Sequence, residues 1–436
     1  MSPQPSIFRI TLIGLVSLAL AMGIGRFAFT PLLPMMREDG LVNITEGGLL
    51  ASVHFLGYWL GAVIATKVPC PPRMMLRLSL LAIGGSTWGM GLTDDFTVWL
   101  ILRWLSGVCS AWVLVLISNY TVKHLADTGR ADCQGWVFSG VGAGISIAGL
   151  GCLAFMVNGT GSSESWRIIG ALSLIIICAA CYGMGREIPT VRRVARVRES
   201  QPSPLDWRAV VAYGAAGIGY VIPATYLPVM AREIVQSPLI FGWSWPVFGA
   251  AAFVSTLFAA RFQKRYSNRQ IWAASQVVMA IGLLLPVIHP HILTVITAGL
   301  CVGGTFMVIT MIGMKEAHRI APPGDIMRHI AVMTASFATG QMIGPVFAGS
   351  LYDLTQSFTM ALVITSVALV TTAMILMGKV SVAGRLIGAV WEVLTVWQRR
   401  SRMRTRLANM NAHQLEDVGL TRKQVEHEAS KSFWRV

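Results

Sequence analysis

Long apolar runs separated by short polar loops set the layout of this chain. A helix that crosses a membrane needs roughly 20 apolar residues, and runs of that kind fall near residues 10–36, 46–66, 74–93, 96–122, 134–157, 166–185, 207–230, 238–262, 270–289, 291–314, 328–351 and 358–378. The pattern predicts an all-α integral membrane protein with twelve transmembrane helices. A polar, basic, proline-bearing stretch from Arg186 to Asp206, REIPTVRRVARVRESQPSPLD, divides the spans into six and six, and after Gly378 the long runs stop. The expected units are a six-helix bundle at 1–190, a basic cytoplasmic linker at 191–206, a second six-helix bundle at 207–378, and an amphipathic, arginine-rich cytoplasmic tail at 379–436.

Within the first run, Ala21 to Met36 reads AMGIGRFAFTPLLPMM, an apolar stretch that keeps an arginine and two prolines. It returns at Ala215 to Met230 as AAGIGYVIPATYLPVM, shifted by 194 positions, with Gly23, Gly25, Leu33 and Pro34 recurring as Gly217, Gly219, Leu227 and Pro228. Glycine and proline in register are harder to match by chance than apolar letters. A repeat of nearly half the chain predicts two pseudo-symmetric bundles, with helices broken at corresponding places framing a site between them.

Composition agrees with a membrane as solvent. Of 436 residues, 54% are hydrophobic and 13% charged, about half the charged share of soluble domains. A net charge of +15 would suit nucleic acid if it gathered on one soluble face, but the basic residues sit mostly in loops. With a cytoplasmic N-terminus, the inner loops carry Lys67, Arg73, Arg77, Lys123, Arg130, Arg186, Arg192, Arg193, Arg196, Arg198, Arg208, Arg261, Lys264, Arg265, Arg269, Lys315, Arg319 and Arg328, and the outer loops only Arg37, Arg167 and Arg232. This asymmetry places both termini on the cytoplasmic side of the inner membrane. Only Arg9 precedes the first run and no clear small-residue cleavage site marks it, so that run is expected to be kept as a span. The seven cysteines lack ligand-like spacing, and Cys178 and Cys181, although a CxxC pair, lie on an apolar helix. No metal or cofactor is expected.

GIGRFAFTPLLP at Gly23 to Pro34, GGTFMVIT at Gly303 to Thr310 and GQMIGP at Gly340 to Pro345 resemble the first, tenth and eleventh helices of the YbfB/YjiJ-type branch of the major facilitator superfamily. The resemblance covers about residues 8–378 and implies a secondary transporter made of two six-helix bundles. The loop KVPCPPR at Lys67 to Arg73 departs from the superfamily's acidic, glycine-bearing motif, and GVGAGISIAG at Gly140 to Gly149 lacks the usual fifth-helix proline. From about Trp397 to Arg435, with LEDVGLTR and the terminal FWR, the tail resembles the short arginine-rich YjiS-like domain, whose function is unknown.

A charge inside the membrane is a functional hypothesis by default. Arg26 and Arg103 are two, with His54 as a third. At about 1.5 Å per residue, Arg26 lies about 16 Å from Arg37, Arg103 about 12 Å from Asp95 and His54 about 12 Å from Glu46, one layer near the membrane centre. In the superfamily the first and fourth helices line the central cavity, so the resemblance implies that both arginines can face it. Their planar donor pairs suit a carboxylate or phosphate. Arg103, in RWLSG, also resembles the superfamily's fourth-helix arginine, which serves structure or coupling as readily as binding. Arg26 has a structural alternative in satisfying carbonyls freed by Pro31 and Pro34, and His54 has cavity hydrogen bonding beside proton carriage. Tyr58, Tyr220, Tyr226, Thr305, Thr310 and Gln341 are candidate cavity groups, with interhelical hydrogen bonding as the alternative. Gly23, Gly25, Pro31, Pro34, Gly217, Gly219, Pro223, Pro228, Gly340, Gly344 and Pro345 are expected to serve close packing and bending where helices rock. Every Asp and Glu is expected in a loop, at a helix end or in the tail. With no buried carboxylate foreseen, an anionic cargo would supply the missing charge.

These features converge on a secondary transporter working by alternating access, with a small organic anion as the small-molecule substrate. The same fold exporting neutral drugs or metabolites, and a membrane sensor that binds without translocating, are the alternatives. No nucleophile and base pair, metal cluster or phosphate-cradling loop stands out to suggest an enzyme or an ATP-driven pump. In the tail, Val382, Leu386, Val390, Val393 and Trp397 recur at helical spacing, as in a helix lying on a membrane. The basic run from Arg399 to Arg406 suits anionic inner-leaflet lipid, while no nucleic-acid recognition motif accompanies it. Gly419 and the Thr421–Gln424 capping box would close one helix and open another. A solvated positive-inside flank and a regulatory protein partner of unknown identity are the alternatives for the tail.

Overall fold

The computed structural model describes residues 6–64, 70–130, 133–183, 204–262, 265–322 and 325–378, together with Met403, Thr421, Arg422, Gln424 and Val425. By its contacts the chain divides into two units, Met1–Met377 and Gly378–Val436. The first is all-helical among the described residues: α1 (Ile7–Leu18), a π-helical turn (Ala19–Ile24), α2 (Phe29–Glu38), α3 (Ile44–Ile64), α4 (Pro72–Gly89), α5 (Phe96–Asp127), α6 (Gln134–Val157), α7 (Ser162–Gly183), α8 (Trp207–Ile234), α9 (Pro238–Phe241), α10 (Ser244–Phe262), α11 (Asn268–Ile288), α12 (Ile292–Ile320), α13 (Ile326–Thr355) and α14 (Thr359–Leu376). Among the described residues, eleven helical runs are long and apolar enough to cross a membrane; Ile7–Glu38 counts as one and Pro238–Ala259 as another. The expected span at 74–93 is α4, which falls short of that standard because Arg73, Arg77 and a second half rich in Ser, Gly and Thr dilute its apolar content. It packs against α5 and α7, and Arg77 donates to the Cys181 carbonyl at 2.7 Å.

The two copies of the internal repeat fold differently. The first is broken: α1 loosens into the π turn, a short stretch of turns holds Gly25 to Ala28, and α2 resumes. At this break a Cβ on Gly23 would stand 2.4 Å from the Gly144 Cα, so only a residue without a side chain lets the π turn meet α6 backbone to backbone. The second copy corrects the expectation of matching breaks, since α8 runs 28 residues straight through Pro223 and Pro228. Pro228 has no N–H to offer the Ala224 carbonyl four residues back, and the Thr30 hydroxyl donates to that carbonyl instead. A proline gap filled from the partner copy does not need to become a break.

Polar contacts join α1–α7 to α8–α14 from the middle of the bundle to the end marked by Glu38. Arg26 meets Tyr220, Thr30 meets the Ala224 carbonyl, and Thr45 meets Asp353. Arg232 donates to the Pro34 carbonyl at 2.6 Å and pairs with Glu38 at 2.6 Å. Tyr226 donates to the Ile44 carbonyl at 3.2 Å. Toward the opposite end, an ionic cluster stays within α8–α14 and its entry: Arg269 pairs with Asp206 and Glu316, and Glu316 also with Arg319 at 2.6 Å. Glu316 has no exposed surface. That corrects the expectation of no buried carboxylate: a residue four from the end of α12 is enclosed because the neighbouring α11 brings Asn268 and Arg269 over it.

In the second unit the few described residues include the expected capping box. The Gln424 side chain accepts from the Thr421 N–H at 2.9 Å, and the Thr421 hydroxyl accepts from the Gln424 N–H at 3.4 Å. The amphipathic stretch at 382–397, the basic run at 399–406 apart from Met403, and most of the 191–206 linker lie outside the described residues.

Candidate functional site

Arg26 sits in the break of the first span, between the π turn and α2, where the helical hydrogen-bond ladder is interrupted. It is 5% exposed. Its Nη2 donates to the Tyr220 hydroxyl, and Gln341 Nε2 reaches the same hydroxyl from α13. Tyr220 is the residue that the 194-position shift places on Arg26, so the two repeat-equivalent positions touch each other. Aromatic rings enclose the guanidinium: its Cζ lies 4.9 Å from the centre of Phe27, 4.6 Å from Phe55 and 5.1 Å from Tyr58. Each such ring face offers a partial negative charge. Among the described residues no carboxylate pairs with Arg26 or Arg103, so the rings and hydroxyl are what offset the Arg26 cation.

Arg103 has a different task. Its Nη1 donates to the Gly25 carbonyl at 3.3 Å and its Nη2 to the Arg26 carbonyl at 3.4 Å, while Ser106 donates to Gly25 at 3.3 Å and Ser110 to Ala21 at 3.1 Å. The break creates this demand, because the Thr30 N–H bonds the Phe27 carbonyl at 3.2 Å and so leaves the Arg26 carbonyl without its helical partner. The work of satisfying freed carbonyls thus falls to Arg103, and its fork holds the loop that carries Arg26. His54 is fully buried on α3 within electrostatic reach of both guanidinium groups. The Arg103 carbonyl faces the ring, yet neither ring nitrogen makes a well-formed hydrogen bond among the described residues.

Of the remaining sequence candidates, the structure gathers Tyr58, Tyr220 and Gln341 around Arg26. Tyr226 lies elsewhere, its hydroxyl spent on the Ile44 and Pro345 carbonyls. Thr305 and Thr310 turn their hydroxyls back to Cys301 at 2.6 Å and Phe306 at 2.8 Å on their own helix. Gly217 and Gly340 stand where α8 crosses α13; a Cβ on either would lie 2.3 Å from a carbonyl oxygen of the facing helix. Gly25, Gly219 and Gly344 face the side chains of Ile83, Leu369 and Val221. Pro34 lies inside α2, just past Pro31, and Pro345 lies inside α13.

Sequence reasoning missed the aromatic wall. Tyr220 lies between Phe306 and Phe337, at 5.1 Å with planes 12° apart and 5.5 Å with planes 8° apart. Phe248 stacks on Phe306 at 5.5 Å and Trp245 on Phe248 at 4.7 Å, extending the series of rings. A separate apolar groove of about 420 Å³ between α3 and α13, lined by Leu49, Val53, Met342 and Phe347 among others, does not include Arg26.

Comparison with known proteins adds family and fold. Residues 18–378 match the family described as uncharacterised MFS-type transporter YbfB, and residues 390–426 match the YjiS-like domain. Two uncharacterised MFS-type transporters of Bacillus subtilis (strain 168) are similar: YceJ, 24% identical over 78% of this chain and 89% of its own length, and YtbD, 20% identical over the same shares. Among solved structures, a nucleoside transporter, NupG, superposes with a TM-score of 0.66 at 13% identity, covering 86% of this chain and 99% of its own.

Proposed function

Because the chain belongs to the YbfB-type family of major facilitator superfamily transporters and is thus a multi-pass membrane transporter, we propose that it carries a small organic anion across the bacterial inner membrane by alternating access. The observation that carries the cargo class is Arg26: a guanidinium 5% exposed, placed by a helix break between the two copies of the repeat, with no carboxylate paired to it among the described residues. A buried cation without a fixed counter-ion is costly, and an anionic cargo is the partner that removes the cost for the duration of transport. The buried Glu316 does not fill that role. It is ten residues from Phe306 along α12, about 15 Å, and is already engaged by two arginines.

Alternating access draws support from the uneven distribution of ties between the two sets of helices. The Glu38 end is joined by Arg232, Thr45 and Tyr226, whereas the ionic cluster at the other end is internal to one set. Arg26 lies where a site would meet each side in turn. The basic-residue asymmetry puts the Glu38 end outside and both termini in the cytoplasm.

The test is flux into sealed vesicles holding the full chain, with acetate, benzoate, succinate, inorganic phosphate and uridine as the panel. Saturable uptake of at least one anion that Arg26→Ala lowers about 10-fold or more supports the reading. Uptake of uridine alone, the neutral solute in the panel, would place the chain among carriers of uncharged compounds, and binding without uptake would make it a sensor.

A further inference from the structure

We propose that the cargo seated at Arg26 is a monovalent aryl carboxylate, one negative charge carried on a flat aromatic body. This rests on the reading above that the site takes an organic anion, and it adds charge number and body shape.

Charge number follows from which donors are free. Two arginines lie in the layer, but the Arg103 fork is committed to the Gly25 and Arg26 carbonyls. Releasing it would leave the Arg26 carbonyl unpaired and the Gly25 carbonyl with Ser106 alone, so turning the fork to cargo would cost the break a buried hydrogen bond. Arg26 alone remains, with Nη2 on a displaceable tyrosine hydroxyl and a buried Nε that has no partner. One planar fork matches one carboxylate. A dicarboxylate or phosphate would bring a second charge among the buried rings of Phe27, Phe55 and Phe306 without a second free fork to pair it, which burial strongly disfavours.

Body shape follows from the walls. Three ring faces close on the guanidinium, and a nearly parallel set of rings, Phe337, Tyr220 and Phe306, runs beside it with 5.1–5.5 Å between centres. Rings in that arrangement favour an added ring over a saturated body of equal size, because stacked and edge contacts use the ring quadrupole as well as area.

A third observation marks the same place. Arg26 Nε, Arg103 Nε and one side-chain amide atom of Gln341 are buried without a partner among the described residues, and the His54 nitrogens make no well-formed hydrogen bond. Arg26 and Gln341 share the Tyr220 hydroxyl, and His54 lies within electrostatic reach of both arginines. Such atoms recur elsewhere in the bundle, at Arg73, Arg77 and Trp245 among others; here they fall on neighbouring side chains and leave donors and acceptors together for a ligand.

The experiment uses vesicles containing the full chain and labelled benzoate, with unlabelled benzoate, cyclohexanecarboxylate, succinate, inorganic phosphate and uridine as competitors. Benzoate uptake should be saturable and about 10-fold or more lower in Arg26→Ala. Unlabelled benzoate should compete on the order of 10-fold better than cyclohexanecarboxylate, and succinate and phosphate should not compete. Phe55→Leu and Phe306→Leu, mild changes that keep volume, should narrow the benzoate-to-cyclohexanecarboxylate ratio while both acids still move. Equal competition by the saturated acid overturns the aryl body, and competition by succinate or phosphate overturns the single charge. If acetate or succinate moves in an Arg26-dependent way and benzoate does not, this inference fails while the organic-anion reading stands. If no anion in the panel moves, both fail.

Discussion

Arg26 and Arg103 are the same residue type in the same layer of the bundle, and the groups they contact give them different tasks. Arg103 donates to main-chain carbonyls; Arg26 donates to a tyrosine hydroxyl under a roof of rings. On that basis Arg26→Ala should lower anion flux roughly 10- to 100-fold, the equivalent of the 1.5–3 kcal/mol of a charged hydrogen bond, with the amount of folded protein in the membrane nearly unchanged. Arg26→Lys should restore only part of it, because an ammonium keeps the charge and loses the planar fork. Normal flux in the lysine variant would show that charge alone matters, and loss of folded protein in the alanine variant would return Arg26 to a structural part. The equivalence of Arg26 and Tyr220 in a repeat shifted by 194 positions was legible in the sequence, but that the two side chains touch was not, since repeat-equivalent positions need not meet in space. Nor was the wall. Phe27, Phe55, Phe306 and Phe337 are apolar letters among 17 phenylalanines, and in a membrane helix the lipid face and the inner face are both apolar, so periodicity does not say which way a ring points.

The first span is the element on which the site depends, because it carries Arg26 where the helical hydrogen-bond ladder is interrupted and the Arg26 carbonyl needs a donor from another helix. Its break is held from two sides. Arg103, Ser106 and Ser110 satisfy the Gly25, Arg26 and Ala21 carbonyls, and Gly144 lets the π turn approach α6. Arg103→Ala should therefore act first on stability: each buried carbonyl left unpaired costs roughly 1–3 kcal/mol, and thermal unfolding of the detergent-solubilised protein should shift down accordingly. An Arg103→Ala variant that melts normally and loses only anion affinity would move Arg103 into direct binding. Gly144→Val tests the other side, since a Cβ there would stand 2.3 Å from the Ala19 carbonyl oxygen; overpacking of this kind costs about 1–3 kcal/mol, and flux should fall with folded yield. The glycines and prolines announced that something unusual happens in this span. That α8 would stay whole was not legible, because the group that fills its proline gap, Thr30, comes from the other copy of the repeat.

At the scale of the whole molecule, the succession of apolar helices and the family were readable from the chain, because hydropathy is a local property. The burial of Glu316 was not, since it depends on Arg269 arriving from another helix. The ties at the Glu38 end lead to a prediction about populations. Glu38 is 64% exposed as a side chain, so its pair with Arg232 is worth at most about 1 kcal/mol. Glu38→Gln should shift the balance between the two faces by no more than about five-fold, read as faster labelling, from outside, of a cysteine placed at Leu33 in a background without the native thiols; slower labelling would contradict a closing role. The tail gives the last prediction. Arg399, Arg400, Arg402, Arg404 and Arg406 crowd a short stretch directly after an amphipathic sequence, and each cation near anionic lipid contributes about 1 kcal/mol. A run of that density does not need a folded partner to hold a membrane surface, and none of the candidate cargo groups lies beyond Gln341. Truncation before Arg399 should leave flux per folded molecule nearly unchanged. The isolated tail should bind vesicles containing anionic lipid, ignore neutral ones, and release as salt screens the attraction over a Debye length of about 10 Å at 0.1 M. Transport lost in a folded truncation would tie the tail to the carrier itself, and equal binding to neutral vesicles would remove lipid charge as its partner and leave a solvated flank or a protein contact in its place.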